Sequence, residues 1–120
     1  MIILLFVLFF IKHFICDFPL QSFPYMYRNK GTYLRPGGLL HAGIHGIATF
    51  GILMFFTFPI VALVGALFDM IVHYHIDWAK MNLNKKMGWA PDNSENFWIL
   101  LGVDQLLHYL TYAAIIFYVL

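Results

Sequence analysis

From Pro36 to Phe68 the chain carries no Asp, Glu, Lys or Arg. At the rise of an α-helix this stretch is too long for one comfortable bilayer crossing and long enough for two. Pro59, preceded by Thr57 and Phe58, divides it. The pattern predicts a span at about 38–57, a tight turn, and a second span at about 59–80. Two further apolar segments flank this pair. Residues 1–11 are uninterrupted by charge, and the apolar character resumes after Lys12 through Phe18, which predicts a span over about 1–20. A signal peptide is the rival for this segment, but no Lys or Arg precedes the run and no small-residue cleavage site follows it. The last span runs over about 96–120, with residues 105–120 free of Asp, Glu, Lys and Arg.

Composition agrees with this division. Hydrophobic residues make up 62% of the 120 residues and charged residues 11%, against roughly 25% charged in soluble domains. Seven Lys/Arg and six Asp/Glu cannot cover the surface of a soluble domain of this size. A net charge of +1 offers no footprint for nucleic acid, and one cysteine excludes a disulfide framework or a Cys-rich zinc module. The expected fold is an all-α integral membrane protein, a single domain with four transmembrane helices in an antiparallel bundle.

Two polar loops, about 22–37 and 81–95, are rich in Pro, Gly and Asn and fall on one side of such a bundle. Asp92, Asn93 or Ser94 is placed to cap the last helix. All seven Lys/Arg sit in these loops or at the adjoining span ends. The positive-inside bias then predicts a multi-pass inner (cytoplasmic) membrane protein with both loops cytoplasmic and both termini outside.

Ionisable residues inside membrane helices are expensive and usually face a bundle interior or a water-filled cavity. Here they recur as i,i+4 pairs of His and Asp: His13 and Asp17, His41 and His45, His73 and Asp77, Asp104 and His108. Each pair lies on one helical face. Because the chain reverses at each turn, all four pairs fall near the loop end of the bundle, roughly 5–12 Å below the interface by helical rise. Imidazole nitrogen and carboxylate oxygen are ligands of zinc and of non-haem iron or manganese. These eight residues are therefore candidate ligands for one or two divalent ions, zinc first. Gln21, Asp69 and Gln105 extend the stripes as partners that orient ligands. Cys16 lies beside the first stripe and suits packing better than ligation. His75 falls on another face. Gly43, Gly46 and Gly51 permit close helix packing, and Trp78, Trp89, Trp98, Tyr25, Tyr27 and Tyr33 suit an interfacial aromatic belt.

The motifs resemble a family. His13 through Gln21 is similar to the HxxxDFxxQ opening of the small membrane proteins grouped as domain of unknown function 3307. His41 and His45 resemble its second motif, His73 through Lys80 its HxxxDWxK motif, and Asp104 through His108 its DQxxH. The resemblance covers nearly the whole chain in order and implies span order and motif membership, with no activity attached. The recurrent HxxxD pairs alone have a looser similarity to membrane-bound metal-dependent hydrolases.

The leading functional expectation is a metal-dependent hydrolase of an amphiphilic substrate, lipid-like or carrying a phosphate or ester, at the cytoplasmic leaflet. Asp104 or Asp17 would act as general base and Lys80 would neutralise a substrate anion. Arg28, Lys30 and Arg35 would hold an anionic head group. The alternatives are a proton or divalent-cation transport or channel subunit, and a membrane interaction protein whose polar cluster only fixes the bundle. The expected partners are the lipid bilayer, the substrate and a second copy of the chain, with no nucleic acid.

Overall fold

The computed structural model describes residues 1–27 and 30–120, and among them the secondary structure is entirely helical. Helix α1 covers Ile2–Asp17 and is followed by a 3-10 turn at Leu20–Ser22 and a short helix α2 at Pro24–Tyr27. Helices α3 (Pro36–Leu53), α4 (Pro59–Met87) and α5 (Glu95–Val119) complete the chain. Pro36 and Pro59 stand in the first turn of their helices, where a missing N–H leaves nothing unsatisfied. Of the three capping candidates Ser94 makes the cap, its Oγ accepting from the Asn96 N–H at 3.1 Å.

The third long helix runs seven residues beyond its expected end at 80, so the second polar loop begins at Gly88. Asn82, Asn84, Lys85 and Lys86 are polar, but none of them breaks a helix. Polarity there marks the end of apolar surroundings and leaves the backbone ladder intact. Lys85 and Lys86 in the last turn complement the helix dipole, and Gly88 ends the helix at φ 68°, a conformation that favours glycine. Conversely α3 stops at Leu53, and the tight turn expected at Thr57 widens to residues 54–58.

Three stretches are long and apolar enough to cross a membrane: Ile2–Ser22, Pro59–Met87 and Glu95–Val119. Four had been expected. Helix α3 falls short because its 18 residues include five glycines, Pro36 and two histidines, which dilute its apolar content.

The four long helices close a ring of contacts, with α1 against α3 and α5, and α4 against α3 and α5. Between α3 and α4, and between α1 and α5, the numbering of one helix rises as the other falls. Thr49 meets Asp69 and His41 meets His73. Phe9 packs on Tyr112 and His13 meets Gln105. Gly46 allows the close approach of α3 and α4, since a Cβ there would lie 3.1 Å from Met70 Cβ and 3.4 Å from the Ala66 carbonyl oxygen. Gly43 and Gly51 meet nothing within 4 Å, whereas Gly65 has Leu53 Cδ1 2.7 Å from where its Cβ would be.

Burial is inverted relative to a soluble protein. The buried set includes Lys12, His13, Asp17, His41, His45, Asp69, His73, Asp77, Asp104 and His108, while Phe55, Phe58, Ile47, Ile60 and Phe117 are exposed. An apolar core of Leu5, Phe9, Leu53, Ala62, Tyr112, Ile115 and Ile116 fills the end away from the polar loops.

Gly46→Val is expected to lower stability by about 1–3 kcal/mol through overpacking against backbone. Gly43→Ala and Gly51→Ala are expected to be neutral or to stabilise by up to about 1 kcal/mol, since helix propensity improves and the space is open. Thermal unfolding in detergent followed by circular dichroism checks the contrast.

Candidate metal centre

The stripes expected from i,i+4 spacing face inward and meet. Asp17 ends α1, His41 and His45 lie on successive turns of α3, and His73 lies on α4. Asp17 Oδ1 is 2.8 Å from His45 Nε2, 3.2 Å from His41 Nε2 and 3.6 Å from His73 Nε2. His41 Nε2 and His73 Nε2 are 3.1 Å apart. These four donor atoms all lie within 4.8 Å of one another, and all four residues are buried. Ligands at the corners of a tetrahedron with bonds of about 2.0–2.1 Å stand about 3.3 Å apart. The observed separations are close to tetrahedron edges. They also overfill one carboxylate oxygen, which three imidazole nitrogens crowd at once. A cation at the centre would satisfy all four groups together.

Charge matching points to the same position. Four aspartates are buried. Lys12 Nζ lies 2.5 Å from Asp69 Oδ2, Lys30 Nζ 2.7 Å from Asp77 Oδ2, and Lys80 Nζ 3.1 Å from Asp104 Oδ2. Among the described residues Asp17 alone of the four has no ammonium partner, and four imidazoles surround it instead. A buried carboxylate needs a compensating charge, and among the described residues the groups within ion-pair distance of Asp17 are imidazoles. His41, His45 and His73 each turn Nε2 to this centre and leave Nδ1 without a hydrogen-bond partner.

His73, Asp77 and His108 form a second, adjacent group within the same distance limit. The His73 ring is sandwiched between His45 and His108, with centroids 3.6 and 4.1 Å away. Two other candidate ligands stand outside both groups. His13 uses its ring nitrogens on the Tyr112 hydroxyl and Gln105 Oε1, both at 2.7 Å, and its Nε2 is 3.2 Å from Asp17 Oδ2. Asp104 is engaged on Oδ2 by Lys80 and by the Gln105 side-chain amide, which donates at 3.0 Å. Its Oδ1 lies 3.5 Å from His108 Nε2.

The remaining candidates disperse. Gln21 donates to the Asp17 carbonyl and accepts from Lys30. Asp69 sits one layer further from the loops, bound to Lys12 and to the Thr49 hydroxyl rather than to a histidine. Lys30, expected among surface cations, is buried against Asp77. Arg35 is exposed at the start of α3, and Arg28 lies outside the described residues. Cys16 is buried without joining either group, and His75 is exposed beside Tyr33. Lys80 and Asp104 line a groove of about 510 Å³ between α4 and α5, whose other walls include Ile76, Leu83 and Val103.

Three participants had not been singled out: Lys12, Thr49 and Tyr112. Thr49 continues the His41–His45 stripe by one more i+4 step, and Tyr112 continues the Asp104–His108 stripe in the same way, so extending each stripe would have found both. Lys12 carries a subtler signal, a charge interrupting an apolar run.

Residues 5–120 match a family described as "Protein of unknown function (DUF3307)", and the chain belongs to it. No curated protein and no solved structure matches the chain, so the looser likeness to membrane-bound hydrolases has no match behind it.

Lys12→Met should destabilise the protein by about 3–5 kcal/mol, because it strands Asp69 in the interior. Adding Asp69→Asn should recover part of that loss. Denaturation of the single and double variants in detergent tests this; equal stability of wild type and Lys12→Met would contradict the pairing.

Proposed function

We propose that this member of the DUF3307 family is an integral membrane protein whose four long helices form one antiparallel bundle around a divalent metal ion, and that it hydrolyses an ester or phosphoester bond of an amphiphile. The observation that carries the metal reading is the convergence of Asp17, His41, His45 and His73, three imidazoles and one carboxylate without an ammonium partner, from three helices. Zinc suits three nitrogens and one oxygen at tetrahedral spacing better than ions that prefer six oxygen-rich ligands. Inverted burial supports the membrane setting, since the exposed apolar surface needs lipid around it.

A bound ion would polarise a carbonyl or phosphoryl oxygen and lower the pKa of water at the site. The chain's own residues divide the other tasks. Asp104 Oδ1 is buried without a hydrogen-bond partner while Oδ2 is held by Lys80 and Gln105, so Oδ1 is the oxygen available to accept a proton. The Lys80 side chain, 15% exposed, borders the apolar groove and is suited to hold an anionic group at the same end. His13, fixed by Tyr112 and Gln105, keeps Asp17 turned to the centre. The apolar walls beside these charges favour a substrate with an acyl chain and a polar head.

The orientation with both loops cytoplasmic rests on Arg28, Arg35, Lys85 and Lys86, because Lys12, Lys30 and Lys80 are paired with carboxylates inside. A transport path would have to cross the layer of Leu5, Phe9, Leu53, Ala62, Tyr112, Ile115 and Ile116, in which the one polar side-chain atom, the Tyr112 hydroxyl, is engaged by His13. That layer favours a site closed on the far side.

Protein purified in detergent and analysed by mass spectrometry for metal is expected to carry about one equivalent. His45→Ala and His73→Ala should abolish it. His13→Ala should keep the stoichiometry at saturation but weaken affinity roughly 10–100-fold, as loss of an orienting partner does. Wild type without stoichiometric metal sinks the centre. With metal bound, a series of p-nitrophenyl esters and phosphodiesters of increasing acyl length tests the hydrolase. Asp104→Asn should lower turnover roughly 10²–10⁴-fold without removing metal. Metal-loaded wild type inert across both series would leave a metal-binding or structural protein and end the hydrolase reading.

A further inference from the structure

Beside the Asp17 centre, His108 of the second group also reaches Asp104, so that its ring nitrogen stands between two buried carboxylates. His108 Nε2 lies 3.4 Å from Asp77 Oδ1 and 3.5 Å from Asp104 Oδ1. All three atoms are buried without a hydrogen-bond partner, and His108 is 1% exposed. A cation seated among them would meet one imidazole and two carboxylates. His73, which also reaches this group, has its Nε2 committed to the Asp17 centre, 3.1 Å from His41 Nε2, and one imidazole nitrogen binds one ion.

This second group is already compensated. Lys30, contributed by the segment between α2 and α3, brings its ammonium 2.7 Å from Asp77 Oδ2 as an ion pair and donates to Gln21 Oε1. It reaches the same carboxylate oxygen that lies 3.2 Å from His73 Nε2 and 3.4 Å from His41 Nε2. Lys80 matches Asp104 in the same way from α4. A second divalent ion would face two ammonium groups as well as the first ion, at short range in low-dielectric surroundings.

We propose that the Lys30 ammonium is the resident cation of this second group, which holds the protein to one metal ion, and that its removal turns Asp77, Asp104 and His108 into a second divalent-cation site. The proposal rests on the metal reading of the Asp17 centre and on no assumption about hydrolysis. Lys30 is the decisive cation because it arrives from outside the long helices, so losing its charge leaves the helix-borne donors where they are. Asp77 is then a buried carboxylate without an ammonium, in the condition in which Asp17 stands.

The test equilibrates the full-length protein in detergent with Zn²⁺, removes free metal and counts bound zinc by mass spectrometry. Wild type should hold about one equivalent, Lys30→Met about two, and Lys30→Arg about one, because the charge is retained. The double variant Lys30→Met/His108→Ala should return to about one. In the wild-type background His108→Ala should leave the single equivalent in place, and loss of zinc in this arm overturns the proposal even if Lys30→Met does not fold. Two equivalents in wild type, one in folded Lys30→Met, or loss of zinc in His108→Ala each overturns the proposal. Wild type with no zinc at all instead refutes the Asp17 centre, so the two failures are distinguishable.

Discussion

The arrangement depends on compensating four carboxylates in an interior that offers no bulk water. Burying an ionised carboxylate without a partner is prohibitive, and burying it beside an ammonium is tolerable only when the geometry is close. Asp69, Asp77 and Asp104 each have a lysine within 2.5–3.1 Å. Asp17 has His13, His41, His45 and His73 instead. Imidazole can balance a carboxylate by taking a proton or by passing the task to a metal ion. Three nitrogens converging on one oxygen at near-tetrahedral spacing suit the second solution better, because one oxygen cannot accept three well-aligned hydrogen bonds.

The layers along the helices then have distinct roles. At one end the apolar core around Leu5, Phe9 and Leu53 closes the interior. Above it Lys12 and Thr49 both donate to Asp69. The histidine layer follows, and Lys30 and Lys80 lie on its loop side. Thus polarity increases toward the loops, and the groove between α4 and α5 meets the polar layers through Lys80 and Asp104. A membrane amphiphile has the same gradient along its own length.

The stripes were legible because the helix repeat is rigid. Residues four apart share a face whatever the tertiary fold, so His41 with His45 and His73 with Asp77 had to point together. What spacing could not sort was which member of each stripe reaches the centre. His13 and Asp17 share a face of α1, yet Asp17 contacts three Nε2 atoms at the centre while His13 is taken by Tyr112 and Gln105. One helical turn moves a side chain about 5.4 Å, enough to take it from the convergence of donor atoms to the set of partners beside it. The end of α4 lies beyond the polar boundary for another reason. Lys85 and Lys86 signal departure from apolar surroundings, and a helix outlasts that boundary until a residue such as Gly88 stops its backbone.

By itself the sequence determined that the chain is helical and apolar on most faces, and that each long helix carries one polar stripe, because hydropathy and the 3.6-residue repeat are local properties. Tertiary structure alone decided the partners. Lys12 with Asp69, Lys30 with Asp77 and Lys80 with Asp104 are separated by 57, 47 and 24 positions, and no local rule matches charges across such distances. That matching left Asp17 to the histidines, since only the packed helices bring a particular ammonium within reach of a particular carboxylate.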